Sequence, residues 1–455
     1  MFLQKIQLLH KKGYLPIQIV AQPEGIKIPN DIPIVGITNT DKDFIWLPEI
    51  IAENIKSYIL PAVTAASVSN RYFNVINDWY TRTSDADNQK KASAVFDTRS
   101  INHTLPHTTE DILAGAGWCL NFNNVSSLES LHYLKTYYNA SHHRHKLQGT
   151  PLSVDLSFIG EVDQFWCELS RQNIQTETDS KTDSQQVVMH NNNTKNKIHD
   201  DIPEELPFDI AVNYVCEQLR KIRTKMGLSS ATNHTDNTSE ETEQDIILNI
   251  RDKNYYDFLR DYLPVMLDDI MTWNGTIYLH PTGDIRNDTV LQTLFVLSDL
   301  IGCSNNKRSY KNINANIKIL YDANITTNNM YEILAMIYDY GFSAENIVFG
   351  ISDFNSKHME NEKFFKRKQE PIRLATQTTY CEVGKTTPMS PASSKHIKGC
   401  VIVSKDHSKY TVTDNHTWYT ALTDRHNSLI PIFANSHMTE EQSLSGIRNR
   451  LREHS

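Results

Sequence analysis

Apolar and polar positions follow two different periods in the first part of the chain. Residues 15–29 alternate between apolar and polar side chains and are rich in β-forming residues, with a break at Pro23 and Gly25. This pattern predicts a strand, a turn and a second strand. From Phe44 to Val68 the apolar residues recur at helical spacing, and residues 70–80 continue as helix. We therefore expect a short sheet with a long helix against it.

Helical spacing returns in residues 111–138, which predict one or two helices around a strand-like segment at 118–122. An apolar face is marked by two pairs, Leu128 with Leu131 and Leu134 with Tyr138. The tripeptide at 115–117, Gly-Ala-Gly, is too short for a dinucleotide-binding fingerprint. Its small residues instead favour close packing of helices.

Strand and helix patterns alternate regularly from residue 245 onward. The predicted strands and helices are, in order, 246–250, 255–273 with a break at Pro264, 276–281, 288–302, 317–323, 327–341 and 346–351. Such alternation is typical of parallel α/β structure, either a barrel or a doubly wound sheet.

The C-terminal part changes character again. Residues 400–414 suit a β-hairpin, and residues 439–455 suit an amphipathic helix. Thr439 and the two glutamates after it fit the N-terminus of that helix, while the arginines at 448–452 fit its C-terminus.

Two polar stretches interrupt the globular pattern. Residues 172–198 and 229–244 are nearly free of large apolar side chains, so burial cannot offset the entropy of ordering them. An amphipathic helix is predicted between them at 209–227. We interpret 172–244 as one insertion that is partly disordered and carries a helix.

Composition narrows the function classes. The net charge of −9 and the pI near 6.1 argue against a nucleic-acid partner, which normally selects a basic balance. Glycine supplies 16 of 455 residues, about half of its usual share of roughly 7%, which makes a phosphate-cradling loop less expected. The six cysteines show no C-x-x-C spacing, so isolated thiols are favoured over a zinc or redox motif.

The sequence contains no apolar run long enough to cross a membrane, and its start lacks the apolar core and cleavage site of a secretory signal. We expect no membrane insertion. The compartment stays open between an intracellular location and a viral or organellar assembly.

Three local motifs have structural explanations that we prefer. Residues 383–387, VGKTT, resemble the end of a phosphate-binding loop, but Thr379 stands where its first glycine is required. The histidines at 142–145 favour a solvated loop over a metal site. The charged run at 362–370 favours a solvated face over a phosphate-contacting surface.

Longer blocks carry a family resemblance through their order. These blocks are 13–66, 115–122, 134–138, 275–294, 319–334, 345–350 and 384–403. Together they resemble the nicotinamide phosphoribosyltransferases in sequence and in order, across most of residues 10–165 and 250–455.

The resemblance implies an irregular α/β barrel, as in type II phosphoribosyltransferases, with a β-rich second domain built from both chain ends. We place the β-rich domain at 1–97 plus 386–455 and the barrel-like domain at 98–385, with the insertion inside it. The family also implies a head-to-tail homodimer with active sites at the subunit interface.

The family reaction joins nicotinamide to phosphoribosyl pyrophosphate and releases pyrophosphate. It requires cationic groups for the phosphates, Mg²⁺ for the leaving group, aromatic rings around the pyridine and a histidine phosphorylated by ATP. Because this chain lacks most matching residues, we expect no cofactor. Mg²⁺ and ATP would enter only if the chain is active.

The first half of the chain departs from the family motifs at three positions. Arg99 alone can stand in for the arginine of a motif that has lost its aromatic and glycine residues. Ser126 falls where the family has an aspartate. Asp155 lies where the phosphorylated histidine is expected, and no histidine occurs between Lys146 and Met189.

The second half departs in the same way. His280 replaces an arginine and Thr282 an aspartate of one motif, and Asp322 opens a segment that has lost its two glycines. The triple-glycine phosphate loop becomes a segment with Asp353 and Phe354. A carboxylate repels a phosphate and a bulky side chain blocks approach to the backbone.

Three hypotheses follow. The first is a catalytically inactive homologue that acts as a structural, assembly or regulatory subunit, as a homodimer or in a larger protein assembly. The second is an active nicotinamide phosphoribosyltransferase of NAD salvage, in which a partner chain supplies the family's leading tyrosine and lysine segment. The third is a nucleotide or metabolite sensor that uses a remnant cavity. We favour the first, with remnant site positions and no catalytic residues.

Overall fold

The structure is a computed structural model. It describes residues 2–99, 108–141, 145–156, 217, 245–283, 285–313, 316–323, 325–354, 374–376, 399–406 and 409–453. The predicted insertion at 172–244, the motif at 383–387, the charged run at 362–370 and most of the histidine cluster lie outside these residues, apart from the single position 217.

The described helices are α1 (Phe2–Lys12), α2 (Leu47–Thr83), α3 (Asn88–Ala92), α4 (Thr109–Trp118), α5 (Leu128–Tyr138), α6 (Asp252–Asp257), α7 (Leu263–Met271), α8 (Asp288–Ile301), α9 (Thr327–Asp339), α10 (Trp418–Thr423) and α11 (Leu444–Glu453). The strands are β1 (Ile17–Ala21), β2 (Val35–Asn39), β3 (Val95–Asp97), β4 (Leu152–Asp155), β5 (Ile246–Arg251), β6 (Ile277–Thr282), β7 (Cys303–Asn305), β8 (Lys311–Ile313), β9 (Ile317–Tyr321), β10 (Ile347–Ile351), β11 (Cys400–Asp406), β12 (Lys409–His416), β13 (Ile430–Ala434) and β14 (His437–Met438).

The chain forms two compact units. The first unit combines residues 1–75, 88–150 and 351–455, and the second combines residues 76–87 and 151–350. The domain bounds predicted from the sequence differ from the bounds of these two units, and they remain a prediction.

The first unit is rich in strands and uses both ends of the chain, as the family resemblance implies. Its four-stranded sheet has the order β14-β13-β1-β2, and β1 pairs antiparallel with both β13 and β2. Apolar side chains from β1 and β13 then share one core with the start of α2. A separate antiparallel hairpin, β11 with β12, confirms the prediction for residues 400–414.

The predicted second strand was misplaced. Residues 26–29 form no strand, and the partner of β1 is β2, with Ala21 opposite Val35. The intervening segment contains Pro29 and Pro33, and proline cannot donate to a strand ladder. Pairing therefore starts only after the second proline.

The long predicted helix is confirmed as α2, which runs through Pro61. The glycines at 115–117 pack as expected. A side chain on Gly117 would come within 2.2 Å of the Ala62 carbonyl oxygen, and one on Gly115 within 2.3 Å of Ser130 Oγ. The strand expected at 118–122 is wrong, because its amide groups bond back to carbonyls three or four residues earlier as a turn.

The C-terminal helix begins later than predicted. Thr439 is held to β13 by hydrogen bonds to the carbonyls of Pro431 and Ile432. The helix α11 starts at Leu444, and Ser443 Oγ accepts a hydrogen bond from the Gly446 amide. A serine rather than the predicted threonine therefore supplies the cap.

The second unit holds parallel strands in the spatial order β4-β5-β6-β9-β10. Neighbours in the sheet follow one another in the chain, apart from the small β7–β8 hairpin. A doubly wound sheet would instead reverse its order at a switch point. The order selects the curled half-barrel of an α/β phosphoribosyltransferase-like fold over the doubly wound alternative.

The predicted break at Pro264 has a definite form. Residues 258–262 form one π-helical turn between α6 and α7, and Pro264 lies in the first turn of α7. Proline is tolerated there because the first amides of a helix have no partner within it.

Within the part of the chain that the structure describes, no helix is both long enough and apolar enough to cross a membrane.

Candidate functional site

Four of the positions predicted from the resemblance, Arg99, Ser126, His280 and Asp322, fall into two groups, one in each unit. The first group, which we call the arginine cluster, lies in the first unit and consists of Asp97, Arg99, Asp111, Trp118, Ser126 and Phe354. The second group, which we call the strand-end row, lies in the second unit and consists of Ser153, Asn249, His280 and Asp322.

The arginine cluster is built around a buried ion pair. Arg99 donates from Nε to Asp97 Oδ1 and from Nη2 to Asp97 Oδ2, each at 2.9 Å. The Asp97 side chain is fully buried and that of Arg99 is 9% exposed. On its other side, Arg99 Nη1 lies 3.5 Å from Asp111 Oδ1. A bidentate pair of this kind fixes the plane of the guanidinium group.

Backbone amides complete the shell of Asp97. The amide of Ser126 donates to Oδ2 at 3.0 Å, and the amide of Arg99 donates to Oδ1 at 3.2 Å. The amide of Asp97 itself donates to Asn124 Oδ1. Both carboxylate oxygens of Asp97 are therefore satisfied within the protein, as a buried charge requires.

An aromatic ring covers the cation. The Phe354 ring centroid lies 4.1 Å from the guanidinium carbon of Arg99 and 4.6 Å from the Trp118 ring, to which it is nearly parallel at 10°. These are the geometries of a cation–π contact and of ring stacking. The sequence predicts that Phe354 blocks a phosphate loop, and in the structure this side chain contacts Arg99.

Two hydroxyl groups beside the ion pair are buried without hydrogen-bond partners. They are Oγ1 of Thr98 and Oγ of Ser126. Each of these side chains belongs to a residue whose backbone is fixed, since the Thr98 amide donates to the Ile351 carbonyl at 3.0 Å and the Ser126 amide donates to Asp97. They are unused polar groups at the edge of the cluster.

A second buried arginine supports the floor of the cluster. Arg448 of α11 donates from Nε and Nη2 to the carbonyl oxygen of Cys119, at the C-terminus of α4, and from Nη2 to the carbonyl of Phe122. Burial lowers the pKa of Arg448 to about 10. Burial also raises the pKa of the fully buried Cys119 thiol to about 12.

The strand-end row crosses four neighbouring parallel strands. Asn249 is in register with His280 on the next strand. His280 Nδ1 lies 2.8 Å from Asn249 Oδ1, and His280 Nε2 lies 2.9 Å from Asp322 Oδ1. Asn249 Nδ2 donates to Ser153 Oγ at 2.6 Å. One line of polar contacts thus runs from β4 through the carboxyl-terminal halves of β5 and β6 to the residue after β9. It lies near the edge of the sheet where α/β folds place ligands.

The row is buried at its centre, exposed at Ser153 on β4 and partly exposed at Asp322. The His280 side chain is 1% exposed, whereas that of Asp322 is 13% exposed. Burial, with repulsion from Asp322 as a smaller contribution, raises the pKa of the adjacent Tyr321 to about 12. The row can therefore orient a histidine against a carboxylate, an arrangement that serves proton transfer or hydrogen bonding.

The other predicted positions lie near these groups. Thr282 ends β6, and its Oγ1 makes a long contact of 3.4 Å to the Ile250 carbonyl. The backbone of Asp155 is in register with Asn249 on β5, and its side chain lies outside the described part of the structure. Asp353 is half-buried and directly precedes Phe354.

The described ranges contain no group of three or more His, Cys, Asp or Glu side chains arranged to hold a metal ion.

No family model matches the chain. Two curated proteins are similar to it along nearly its whole length. The first is named nicotinamide phosphoribosyltransferase, from Acinetobacter baylyi, at 20% identity over 98% of this chain and 78% of the relative. The second has the same name, from Xanthomonas campestris pv. campestris, at 20% identity over 96% of this chain and 79% of the relative. The chain is thus similar in sequence to two proteins named nicotinamide phosphoribosyltransferase, at low identity. The resemblance predicted from block order is thereby confirmed at the level of the family.

The nicotinamide phosphoribosyltransferase resemblance located both groups but missed several of their members. Asp111, Trp118, Asn249 and Ser153 match no family motif that the sequence displays. Asn249 carries a signal that could have been used, because it is the polar residue inside the apolar strand segment IILNI. Asp111 and Trp118 carry none, since a charge in the first turn of a helix and an aromatic residue at its end are ordinary.

Proposed function

We propose that this chain is a catalytically inactive nicotinamide phosphoribosyltransferase-like protein that acts as a structural, assembly or regulatory subunit. The observation that carries the proposal is the state of Arg99. Its guanidinium group is bonded to Asp97, faces Asp111 and lies against the Phe354 ring. The cation that resembles the family's phosphate-binding arginine is neutralised inside the protein.

Releasing Arg99 for a phosphate would be expensive in free energy. Separating it from Asp97 leaves a fully buried carboxylate without its counter-charge, a change that typically destabilises a protein by about 3–5 kcal/mol. A charge-assisted hydrogen bond to a phosphate returns about 1.5–3 kcal/mol. The free energy therefore favours the Arg99–Asp97 pair over a contact between Arg99 and a phosphate.

The positions that match other family motifs support the same proposal. His280, in place of an arginine, has its two ring nitrogens beside Asn249 and Asp322. A buried histidine in contact with a carboxylate is a weak substitute for an arginine that must attract a polyphosphate.

The carboxylates of the two groups do not suit Mg²⁺. The oxygens of Asp97 accept hydrogen bonds from Arg99 and from backbone amides, and Asp322 faces His280. Mg²⁺ prefers carboxylate oxygens that are free to enter an octahedral shell with water. These two carboxylates therefore do not form a Mg²⁺ site.

The subunit role is supported by an exposed face on α5. Leu128 is 72% exposed and Tyr137 is 66% exposed, and both line a surface groove with His132 and Tyr133. Large apolar side chains exposed together are typical of protein–protein contact sites. We infer a homodimer or a larger protein assembly.

A direct assay tests the proposed inactivity. The purified chain is incubated with nicotinamide, phosphoribosyl pyrophosphate, Mg²⁺ and ATP, beside the Acinetobacter baylyi relative as a positive control. We expect mononucleotide formation at least about 10³-fold below that control, because several electrostatic groups are missing together. Robust turnover that falls in a folded Arg99→Lys variant would favour an active nicotinamide phosphoribosyltransferase and reject the proposal.

A separate measurement tests the subunit role. Light scattering after size-exclusion chromatography gives the mass of the purified chain, and a pull-down from the source cells identifies stable partners. A monomer without any stable partner would contradict the role even if the chain is inactive.

A further inference from the structure

The Phe354 ring lies against two planar groups, the indole of Trp118 and the guanidinium group of Arg99, and we call the space that it fills the slot. Its ring stacks nearly parallel on Trp118 at 4.6 Å, and the guanidinium carbon of Arg99 lies 4.1 Å from the same ring centroid. Phe354 is 7% exposed. An indole and a guanidinium group, both planar, thus contact the same six-membered aromatic ring.

The indole of Trp118 is held in place without help from Phe354. Its Nε1 donates to the carbonyl of Asn124 at 3.0 Å, and its ring packs at 4.7 Å against Phe122. Trp118 is completely buried. Removal of the Phe354 ring would leave this wall where it is.

The guanidinium group is also held independently. Two hydrogen bonds to Asp97 fix its plane, and Asp111 lies on its far nitrogen. Walls that are fixed by their own partners collapse little when the group between them is removed, and a rigid apolar cavity can bind a small aromatic molecule.

We propose that Trp118 and Arg99 form a binding site for a neutral, planar six-membered aromatic ring, which Phe354 occupies within the same chain. A guanidinium group attracts the π face of a ring more than it attracts a saturated hydrocarbon. The carboxylates of Asp97 and Asp111 disfavour an anionic ring at this position. The inference stands on these contacts alone, so ring binding by a variant and turnover by the parent chain are separate outcomes.

The test opens the slot and offers it two molecules of similar size. Benzene and cyclohexane are added separately to Phe354→Ala, and the melting temperature is followed by circular dichroism. We expect benzene at about 100 times its Kd to raise the melting temperature by about 4 °C, and cyclohexane to raise it by less than half as much. In the parent chain, benzene should produce no shift, because Phe354 fills the slot.

Phe44→Ala is the matched control. Phe44 is equally buried in the first unit, packs against Trp46 and belongs to an apolar core cluster. A cavity there has no guanidinium wall, so benzene and cyclohexane should stabilise this variant to a similar extent. Equal effects of the two molecules on Phe354→Ala, or no effect of either, would overturn the proposal.

A second pair of variants covers the case in which Phe354→Ala does not fold. Leucine has nearly the volume of the lost ring but no π face. We expect Phe354→Leu to lower the melting temperature by more than Phe44→Leu does, while Phe354→Tyr keeps it close to the parent value. A Phe354→Leu variant as stable as Phe44→Leu would reject a site that selects aromatic rings.

Discussion

The arginine cluster and the strand-end row both contain positions where the resemblance expects phosphate- or metal-binding residues, yet they differ in how charge is handled. In the cluster, the cation Arg99 is retained and its charge is cancelled by Asp97. In the row, the expected cation is replaced by His280, which lies in a line of polar side chains that reaches solvent at Asp322. Internal pairing in the cluster and substitution in the row thus both reduce the positive charge that is available to a ligand. We expect the two arrangements to contribute differently to the stability of the fold.

The largest effect is expected from the cluster. Arg99→Met should lower the free energy of unfolding by about 3–5 kcal/mol, because Asp97 then remains buried without its counter-charge. Chemical denaturation measures the change.

The control for Arg99→Met is Arg286→Met, which removes an arginine 82% exposed and 3.0 Å from Asp288. This surface pair should contribute less than about 1 kcal/mol. Similar losses of unfolding free energy in the two variants would show that the Arg99–Asp97 pair contributes no more to stability than the exposed Arg286–Asp288 pair.

A smaller effect is expected from the row. Asn249→Leu keeps the volume but leaves His280 Nδ1 and Ser153 Oγ without their partner, which should lower the free energy of unfolding by about 1–3 kcal/mol. Thr282→Val is the control at the neighbouring strand end, since its contact of 3.4 Å is too long for a strong hydrogen bond. A loss in Asn249→Leu as large as that in Arg99→Met would erase the distinction between the regions.

The pH dependence of stability tests whether the Cys119 thiol, below the arginine cluster, is shielded from water. Burial raises the pKa of Cys119 from 9 to about 12, so the folded thiol holds its proton where the unfolded thiol loses it. The contribution of this thiol to stability is therefore complete below pH 9 and falls as the pH rises from 9 towards 12, by at most about 1.4 kcal/mol per pH unit.

Comparison with Cys119→Ala isolates this contribution from other groups that titrate at high pH. Between pH 8.5 and 10 we expect the parent chain to lose about 1 kcal/mol more than the variant does. Parallel pH profiles would show that the thiol is accessible to water.

The smallest effect is expected at the rim of the cluster. Asp111 is 21% exposed and 3.5 Å from Arg99, and its amide also donates to the Thr108 hydroxyl. Asp111→Asn keeps the shape and the helix cap, so the loss should be below about 1 kcal/mol. A larger loss would show that Asp111, rather than Asp97, is the main counter-charge of Arg99.

The sequence predicted the second unit better than the first. β10 is a continuous apolar run, and β5 is one except at Asn249 and Arg251. Buried parallel strands are recognised by such runs. In the first unit, β2 was missed because Pro29 and Pro33 delay its pairing with β1. The start of α11 was missed because Thr439 bonds to β13. Such contacts between distant parts of the chain leave no local pattern.

The candidate site shows the same division. Colinear blocks predicted which positions of this chain align with the family's site motifs, since a family motif is local. That Arg99 would turn to Asp97 and Asp111, with Phe354 across its face, depends on how residues 97, 111 and 354 converge in three dimensions. No period or motif encodes that convergence.

The pairing of β1 with β13 has a consequence for the time at which the protein folds during synthesis. Gln18 lies opposite Ala434, so β1 cannot complete its sheet until the residues of β13 have left the ribosome. The parallel sheet of residues 151–350 can be built before that moment, because its neighbours follow one another in the chain. The first unit therefore closes after this sheet, although β1 is synthesised before it, and until then the apolar side chains of β1 are a target for chaperones.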